Sequence, residues 1–370
     1  MLVSLTEYAK THNKSNDTLR RMAERGAFRT AQKIGRNWAI DNDEEYPVTK
    51  RTSRKRKVAK PISVISLFSG CGGMDLGIIG GFEFLGKEYK KTGFDIIWAN
   101  EINASACETY KQNIGDHIVV GDINDTIDSM PDNADVVIGG FPCQDISING
   151  KMLGVNGARS SLYTYIVRAV EKIHPKVFIA ENVGGLLLKQ NEYSLNKILS
   201  DFNSLGYDIS YQLYNAADYG VPQTRERVFI VGTQKGLTKF TPPMPTHEIP
   251  ITAKEALNDL ECREKDKHFS HIWSLAKVSG EQGNRQLIAE RPGYTIRAEC
   301  HGNIQFHYSL TRRISMREAA RIQSFPDTFL FASGLRETER QIGNAVPPVL
   351  AWHVANAVKN VIEENNFDEN

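Results

Sequence analysis

Five short runs of β-branched and other apolar residues punctuate the middle of the chain, at positions 62–68, 96–100, 118–120, 134–138 and 177–180. Each stops at a glycine, a serine or an acid, and runs of this length read as buried strands. They alternate with helical stretches, so the pattern predicts repeated βα units. Such units call for an α/β fold with a doubly wound, mainly parallel, Rossmann-like sheet. The first 46 residues follow a different rhythm. Ser4-Leu5-Thr6-Glu7 predicts a capping box, with Leu5, Tyr8 and Ala9 on one apolar helical face. His12-Asn13-Lys14-Ser15 breaks that helix, and a second is expected over 16–25, with Leu19, Met22 and Ala23 inward. Gly26 suits its C′ position, while Thr18, Arg20, Arg21 and Arg25 fall mostly on its outer side. Residues 31–34 and 37–40, on either side of Gly35-Arg36, then predict a tight hairpin.

From 47 to 61 the chain turns polar and basic, with Lys50, Arg51, Arg54, Lys55, Arg56, Lys57 and Lys60 and no acid. Self-repelling charge without an apolar pattern predicts a flexible linker. Strand–helix alternation fades again over 237–313, where Pro242, Pro243, Pro245 and Pro250 break regular structure. A final helix is expected over 348–363, with Leu350, Val354, Ala357, Val358 and Val361 packed on the core.

Composition narrows the function classes. With 45 Lys+Arg against 44 Asp+Glu, any contact with nucleic acid must come from local patches, not a global field. The five cysteines are odd in number, scattered and never CxxC-spaced, so neither a zinc site nor a disulfide scaffold is expected. That usage fits a reducing compartment. No apolar run is long enough to span a bilayer and no signal-peptide core opens the chain, which predicts a soluble cytoplasmic protein.

Candidate chemistry gathers at the strand ends. The glycine-rich turn Ser69-Gly70-Cys71-Gly72-Gly73-Met74 follows the first strand, Glu101 the second, and Gly121-Asp122-Ile123 the third. Glycines let backbone press against a ligand, and the two acids suit ribose hydroxyls and an adenine amino group. The step from Gly70 to Glu101 exceeds the ~20 residues of a dinucleotide fingerprint, and the extra segment 82–93 accounts for it. After the fourth strand comes Gly139-Gly140-Phe141-Pro142-Cys143-Gln144. The glycine pair is expected to turn the chain sharply and Pro142 to fix the approach of Cys143, a nucleophile. Glu181 is expected to end the fifth strand, and Gln223-Thr224-Arg225-Glu226-Arg227 supplies two arginines further on.

From position 62 to the carboxyl terminus these motifs resemble, in order, those of DNA cytosine-5 methyltransferases. Phe68-Ser69-Gly70-Cys71-Gly72-Gly73 is similar to that family's S-adenosylmethionine loop, and Glu101 and Asp122 to the acids after it. Phe141-Pro142-Cys143-Gln144 stands where Pro-Pro-Cys-Gln is commoner. Glu181-Asn182-Val183 and Gln223-Thr224-Arg225-Glu226-Arg227 resemble the motifs that grip the target cytosine. Arg317-Glu318-Ala319-Ala320-Arg321-Ile322-Gln323-Ser324-Phe325-Pro326 and Gln341-Ile342-Gly343-Asn344-Ala345-Val346-Pro347-Pro348 resemble the closing motifs.

The resemblance implies methyl transfer from S-adenosyl-L-methionine to C5 of a cytosine flipped out of double-stranded DNA. Cys143 would add to C6, Glu181 would hydrogen-bond N3, Arg227 would hold O2, and Arg225 would position the loop or a phosphate. Phe68, Gly70, Gly72, Gly73, Glu101, Asp122, Ile123 and Asn344 would hold the cofactor, and no metal is implied. The implied organisation is a catalytic and cofactor-binding domain over 62–236 and 314–370, interrupted by a target-recognition domain over 237–313. Within the latter, Arg291-Pro292-Gly293-Tyr294-Thr295-Ile296-Arg297 resembles the family's threonine-containing element, and Arg285, Arg291, Arg297, His301 and Asn303 are candidates for base or phosphate contacts. A monomer in a restriction–modification system is implied, with a cognate restriction endonuclease as functional partner and no stable complex. A tRNA cytosine-5 methyltransferase is the alternative. Residues 1–46 resemble the small winged helix-turn-helix domains of excisionase-type proteins and MerR-type regulators, which implies a further DNA contact or repression of the chain's own transcription.

Overall fold

All five apolar runs form strands of one sheet in the computed structural model, which describes residues 1–12, 14–35, 37–46, 60–141, 162–275, 285–298 and 305–366. The chain divides into two compact units, Met1–Lys60 and Pro61–Asn370.

In the first unit, β1 (Leu2–Ser4) leads directly into α1 (Leu5–Thr11), followed by α2 (Asn16–Glu24), β2 (Gln32–Ile34) and β3 (Asn37–Asp41). Ser4 and Glu7 close the capping box: the Glu7 amide donates to Ser4 Oγ at 3.2 Å and the Ser4 amide to Glu7 Oε2 at 3.0 Å. Ser15 caps α2, and Gly26, with φ +71°, follows its last turn. The predicted hairpin pairs Gln32 with Ala39 and Ile34 with Asn37. β1 adds a third strand by pairing antiparallel with β3. Three residues are too few to show an alternation, so no pattern announced it. Leu5, Tyr8, Ala9, Leu19, Ala23, Phe28 and Ile40 form a core belonging to this unit alone.

The second unit begins with β4 (Ile62–Leu67), α3 (Gly73–Ile79), the hairpin β5 (Phe82–Phe84) and β6 (Lys87–Tyr89), β7 (Phe94–Glu101), α4 (Ala104–Asn113), β8 (Ile118–Val120) and α5 (Ile123–Thr126). It continues through β9 (Val136–Gly140), α6 (Tyr163–Ile173), β10 (Val177–Val183), α7 (Glu192–Ser204), β11 (Tyr207–Asn215), β12 (Gln223–Thr224) and β13 (Glu226–Gln234). The short elements α8 (Ala253–Leu257), β14 (Gly293–Tyr294), α9 (Met316–Ile322) and α10 (Leu335–Asn344) precede the long α11 (Pro348–Asn366).

Strand order is β11-β13-β10-β9-β4-β7-β8. The last five in that order run parallel, and β13 lies antiparallel between β10 and β11. The chain builds outward from β4 to β8 and then returns to place β9 on the other side of β4. The strand order therefore reverses between β4 and β9, which is where open α/β sheets bind their ligands. Successive residues of each inner strand feed opposite cores, as a sheet covered on both faces requires. Val64, Ile96, Ile138 and Ile179 pack with Ile78, Val354 and Val358 on one side. Ile65, Val137 and Phe178 pack with Ile166, Val170, Ile198 and Phe202 on the other. A third core joins Ala256, Leu257, Leu287 and Ile296 to Met316, Ala320, Phe325 and Ile342, so described parts of 237–313 share packing with the closing segment.

The sheet end depends on how closely α3 approaches α11. A Cβ on Gly77 would lie 2.3 Å from the Pro348 carbonyl oxygen and 2.5 Å from the Ala351 Cβ. Gly77→Ala should therefore force the helices apart, and overpacking of this kind costs roughly 1–3 kcal/mol. A lowered thermal unfolding midpoint is expected. Gly185→Ala, whose new carbon meets only Val183 Cγ2 at 3.8 Å, should leave it nearly unchanged. Equal midpoints for the two variants would contradict the packing described here.

Candidate active site

β4 runs out at Leu67, and Phe68 takes a left-handed backbone with φ +57°, a conformation that residues with a Cβ seldom adopt. The next residue anchors it, since the Ser69 amide donates to the Asn100 carbonyl at 2.9 Å. Gly70 has φ +56° and open space where a side chain would project. Its amide donates to Glu101 Oε2 at 3.0 Å, and the Asn103 amide donates to Glu101 Oε1 at 2.8 Å. Two backbone donors thus aim the Glu101 carboxylate at the end of β7, while burial holds its pKa above the usual range. Gly72 caps α3 with φ +92°, close enough to Ile114 that a Cβ would meet Cγ1 at 2.9 Å.

Asp122 stands just past β8 and caps α5 by accepting from the Asn124 amide at 2.9 Å; it is exposed, with Ile123 buried beside it. Asn344 ends α10 and is exposed. Gly73 packs so tightly on the chain after Asn344 that a Cβ would lie 2.7 Å from the Val346 carbonyl. The eight residues expected to hold a cofactor thus come from the carboxyl ends of β4, β7 and β8 and from one closing turn packed on the same loop. An open glycine cradle beside an oriented carboxylate fits an adenosyl cofactor.

Sequence reasoning missed two supports of this cradle. Asn103 caps α4 through Oδ1 and donates from Nδ2 to Glu337 Oε1 at 2.6 Å, joining the cradle to α10 across 234 residues. A helix cap at Asn103 is readable locally; its distant partner is not. The second is Asp75, fully buried in α3, where Tyr110 Oη donates to Oδ1 at 3.0 Å and lies 2.9 Å from His117 Nε2. Cys71, in the same loop, has its thiol pushed up to about 12 by burial, which leaves it inert as a nucleophile.

Burial pushes the Asp75 carboxyl up to about 6, against about 3.9 in an unfolded chain. Its folded form binds the proton more tightly, so the stabilisation is complete below the unfolded pKa and is lost as pH rises through 6. Asp75→Asn should remove a fall in unfolding free energy between pH 4 and 7, worth roughly 3 kcal/mol. Denaturant unfolding of both proteins at several pH values measures it, and parallel profiles would rule the shift out.

The second half of the site sits on β9, β10 and β13. Gly139 and Gly140 do not turn the chain as expected: both lie within β9, with Gly140 in register beside Glu181 of β10. Their smallness makes room. A Cβ at Gly140 would lie 2.8 Å from Glu181 Oε2, and one at Gly139 would lie 3.0 Å from Ile166 Cδ1. Glu181 is likewise not terminal, since β10 continues to Val183. The Phe141 amide donates to the Glu181 carbonyl at 3.2 Å, and Asn182 Nδ2 donates to the Phe141 carbonyl at 2.9 Å. Phe141 is therefore clamped from both sides at the point where the chain leaves the sheet. Cys143, two residues on, lies outside the described residues, as do His301 and Asn303.

Arg227 of β13 donates from Nε to Glu181 Oε1 at 2.9 Å, and from a terminal nitrogen to the Glu226 carbonyl at 2.6 Å. Glu181 and Arg227 are only 8% and 9% exposed. Burial drives the Glu181 carboxyl up, against the opposing pull of Arg227 and Arg225. A raised carboxyl beside a guanidinium is a group able to hold a proton and hydrogen-bond a basic ring nitrogen.

Arg225 has another place. It is 1% exposed, and its terminal nitrogens donate to the carbonyls of Ile296 at 2.7 Å, Gly343 at 2.8 Å and Ala345 at 3.0 Å. Gln223 Oε1 accepts from the Ile296 amide at 3.0 Å, and its Nε2 donates to the Ile322 carbonyl at 3.0 Å. Thr295 Oγ1 donates to the Thr224 carbonyl at 2.7 Å, completing the parallel pairing of β12 with β14. One five-residue stretch thus reaches the ion pair through Arg227, the threonine-containing element through Gln223 and Thr224, and both neighbours of Asn344 through Arg225. Arg291 and Arg297 are exposed on that element, while Arg285 is half-buried.

An open sheet with a glycine cradle, acids after successive strands and a buried carboxylate–guanidinium pair on the strands next to its switch point defines the class of S-adenosylmethionine-type methyltransferases. The model of the family of C-5 cytosine-specific DNA methylases matches residues 62–285 and 271–360. The chain is 34% identical over 355 residues to the Type II methyltransferase M.NgoFVII of Neisseria gonorrhoeae, covering 86% of this chain and 92% of that one. It is 36% identical over 341 residues to M.BbvI of Brevibacillus brevis, covering 79% and 89%. Among solved structures, an E. coli prophage protein provisionally described as a DNA modification methyltransferase superposes with TM-score 0.63 at 25% identity, over 82% of this chain and 99% of that one. The S. pombe Dnmt2 methyltransferase shares the fold, with TM-score 0.55 at 17% identity, over 83% and 100%. The chain belongs to the C-5 cytosine-specific DNA methylase family and is an enzyme. Among the described residues no helix is long and apolar enough to cross a membrane.

The three carbonyls held by Arg225 yield a prediction. Arg225→Met takes the donor from the Ile296 and Gly343 carbonyls, at about 1–3 kcal/mol each, while the Ala345 carbonyl keeps the Gln323 side-chain amide. Because they flank both Ile296 and Asn344, apparent affinities for DNA and for methyl donor should weaken together, by tenfold or more at about 1.4 kcal/mol per decade. Steady-state kinetics with each substrate varied checks this, and loss confined to one substrate would refute the shared tether.

Proposed function

We propose that the protein transfers a methyl group from S-adenosyl-L-methionine to C5 of a cytosine flipped out of double-stranded DNA within a short sequence. The observation that carries this reading is the buried Glu181–Arg227 pair beside the clamped Phe141, from which the chain runs through Pro142 to Cys143. Cytosine C5 is too weak a nucleophile to take a methyl group unaided. Addition of the Cys143 thiolate to C6 forms an S–C bond and pushes electron density toward C5, N3 and O2. Glu181, its pKa raised by burial, holds a proton against N3. Arg227 uses two of its five N–H groups on Glu181 and Glu226, which leaves donors for O2. When bound, the cofactor supplies an electrophilic methyl group. Loss of the C5 proton to a base, with re-formation of the C5–C6 double bond, then expels the Cys143 thiolate.

Glu101 would take the cofactor ribose hydroxyls and Asp122 an adenine amino group, with Phe68, Gly70, Gly72, Gly73 and Ile123 lining the cradle and Asn344 closing it. The curated relatives carry Type II methyltransferase names, which supports a place in a restriction–modification system, paired with an endonuclease without a stable complex. The DNA-specific family match favours DNA over tRNA as substrate.

Bisulfite sequencing of DNA from a host expressing the chain should reveal one new methylated motif. Cys143→Ala should abolish it while DNA and cofactor binding persist. A duplex with 5-fluorocytosine at the target should trap the wild-type chain covalently, because fluorine cannot leave as the proton does. Methylation by the alanine variant at the wild-type rate would overturn the mechanism.

A further inference from the structure

The family match starts at residue 62, so the first unit is additional to the methyltransferase framework. It is nonetheless a built object, with its own core and a three-stranded sheet closed by β1. Tyr8 lies edge-on to Phe28 at 5.7 Å, and its hydroxyl donates to the Glu44 carbonyl at 2.6 Å, fixing α1 against the segment after β3.

Of this unit's acids, Glu7 accepts from the Ser4 amide, Asp41 pairs with the amino terminus at 2.9 Å and Glu44 accepts from the amides of Arg29 and Thr30, while Asp17, Glu24, Asp43 and Glu45 face water. The basic side chains face water. Arg20 and Arg21 stand on the outer side of α2, opposite the buried Leu19 and Ala23. Their partners are Asp17 and Glu24, in exposed pairs at 3.0–3.7 Å that contribute little and yield readily to a stronger anion. Arg25 at the end of α2, Arg29, and Lys33 on β2 are exposed and form no ion pair among the described residues. β2 is exposed along its length, so the hairpin has a strand free to lie along a ligand.

We propose that this unit binds duplex DNA at a sequence of its own, distinct from the methylated one. α2 spans nine residues, about 13 Å, and a B-DNA major groove about 12 Å wide admits one helix. Thr18, Arg20 and Arg21 on its outward side are the base-reading candidates, and Arg25, Arg29 and Lys33 are placed to take phosphates on either side of it. Four positions, 12 to 15, separate α1 from α2, a spacing that suits helix-turn-helix units. Such a site at the chain's own promoter would make the unit a brake on its own synthesis.

The test selects bound fragments from a randomised duplex pool with the full chain, with methylation scored separately so that failure of either reading stands alone. Two enriched motifs are expected, one with the methylated cytosine and one without. Arg20→Ala combined with Arg21→Ala should erase the second motif and leave the first motif and the methylation rate within about twofold, since neither arginine belongs to the catalytic unit. Arg25→Glu combined with Lys33→Glu should weaken binding to the second motif at least tenfold and reduce its salt slope by about two. A single motif would overturn the proposal, as would a second motif that survives the double alanine change. Equal loss of methylation and of both motifs would show a general DNA anchor instead.

Discussion

A carboxylate and a guanidinium held together inside the protein are the constraint on which the second unit turns. Glu181 and Arg227 meet at 2.9 Å on neighbouring antiparallel strands, both nearly sealed from water. Desolvating two charges is costly, and losing either partner of such a pair destabilises by about 3–5 kcal/mol. The pair persists because the surroundings fix it: Gly140 leaves room for the carboxylate, and β13 enters the sheet reversed so that Arg227 comes alongside β10. The same burial that makes the pair expensive raises the Glu181 carboxyl, and a raised carboxyl is what proton sharing with a ring nitrogen needs.

Glycine serves three distinct purposes around the site, and only one is conformational. Gly70 and Gly72 adopt left-handed backbone that a side chain would strain. Gly73, Gly77 and Gly343 are contact glycines, each pressed against carbonyls or backbone of a distant segment. Gly140 is a third kind, an empty place beside the buried Glu181 carboxylate. Close approach of this sort brings the loop after β4 against the turn after α10, although 270 residues separate Cys71 from Gln341, whose Sγ and carbonyl stand 3.7 Å apart.

Arg225 and Arg227 differ by two positions and diverge completely in role. Arg227, within β13, turns to the ion pair; Arg225, in the gap between β12 and β13, turns to three carbonyls from two other segments. A planar guanidinium with a fixed fork of donors suits that task better than an ammonium. Through it, the threonine-containing element and the closing turn share one support.

The local elements were legible in the chain itself. Capping at Ser4, the helix stop at Gly26, the hairpin before Asp41 and the five parallel strands all depend on near neighbours. What the sequence left open was every choice of distant partner. β13 carries a buried apolar run, Val228–Val231, but its antiparallel place beside β10 is set by tertiary pairing, and the edge strand β11 takes its register from β13 in turn. Gly139 and Gly140, read as a turn, proved to be spacers, since the crowding that demands glycine comes from Glu181 and Ile166 on other elements. Asn103 found Glu337, and Arg225 found Ile296, Gly343 and Ala345, only once the fold had closed the intervening loops. Periodicity and capping are set by energies local to a few residues, whereas these contacts exist only where packing brings together segments that the chain itself keeps far apart.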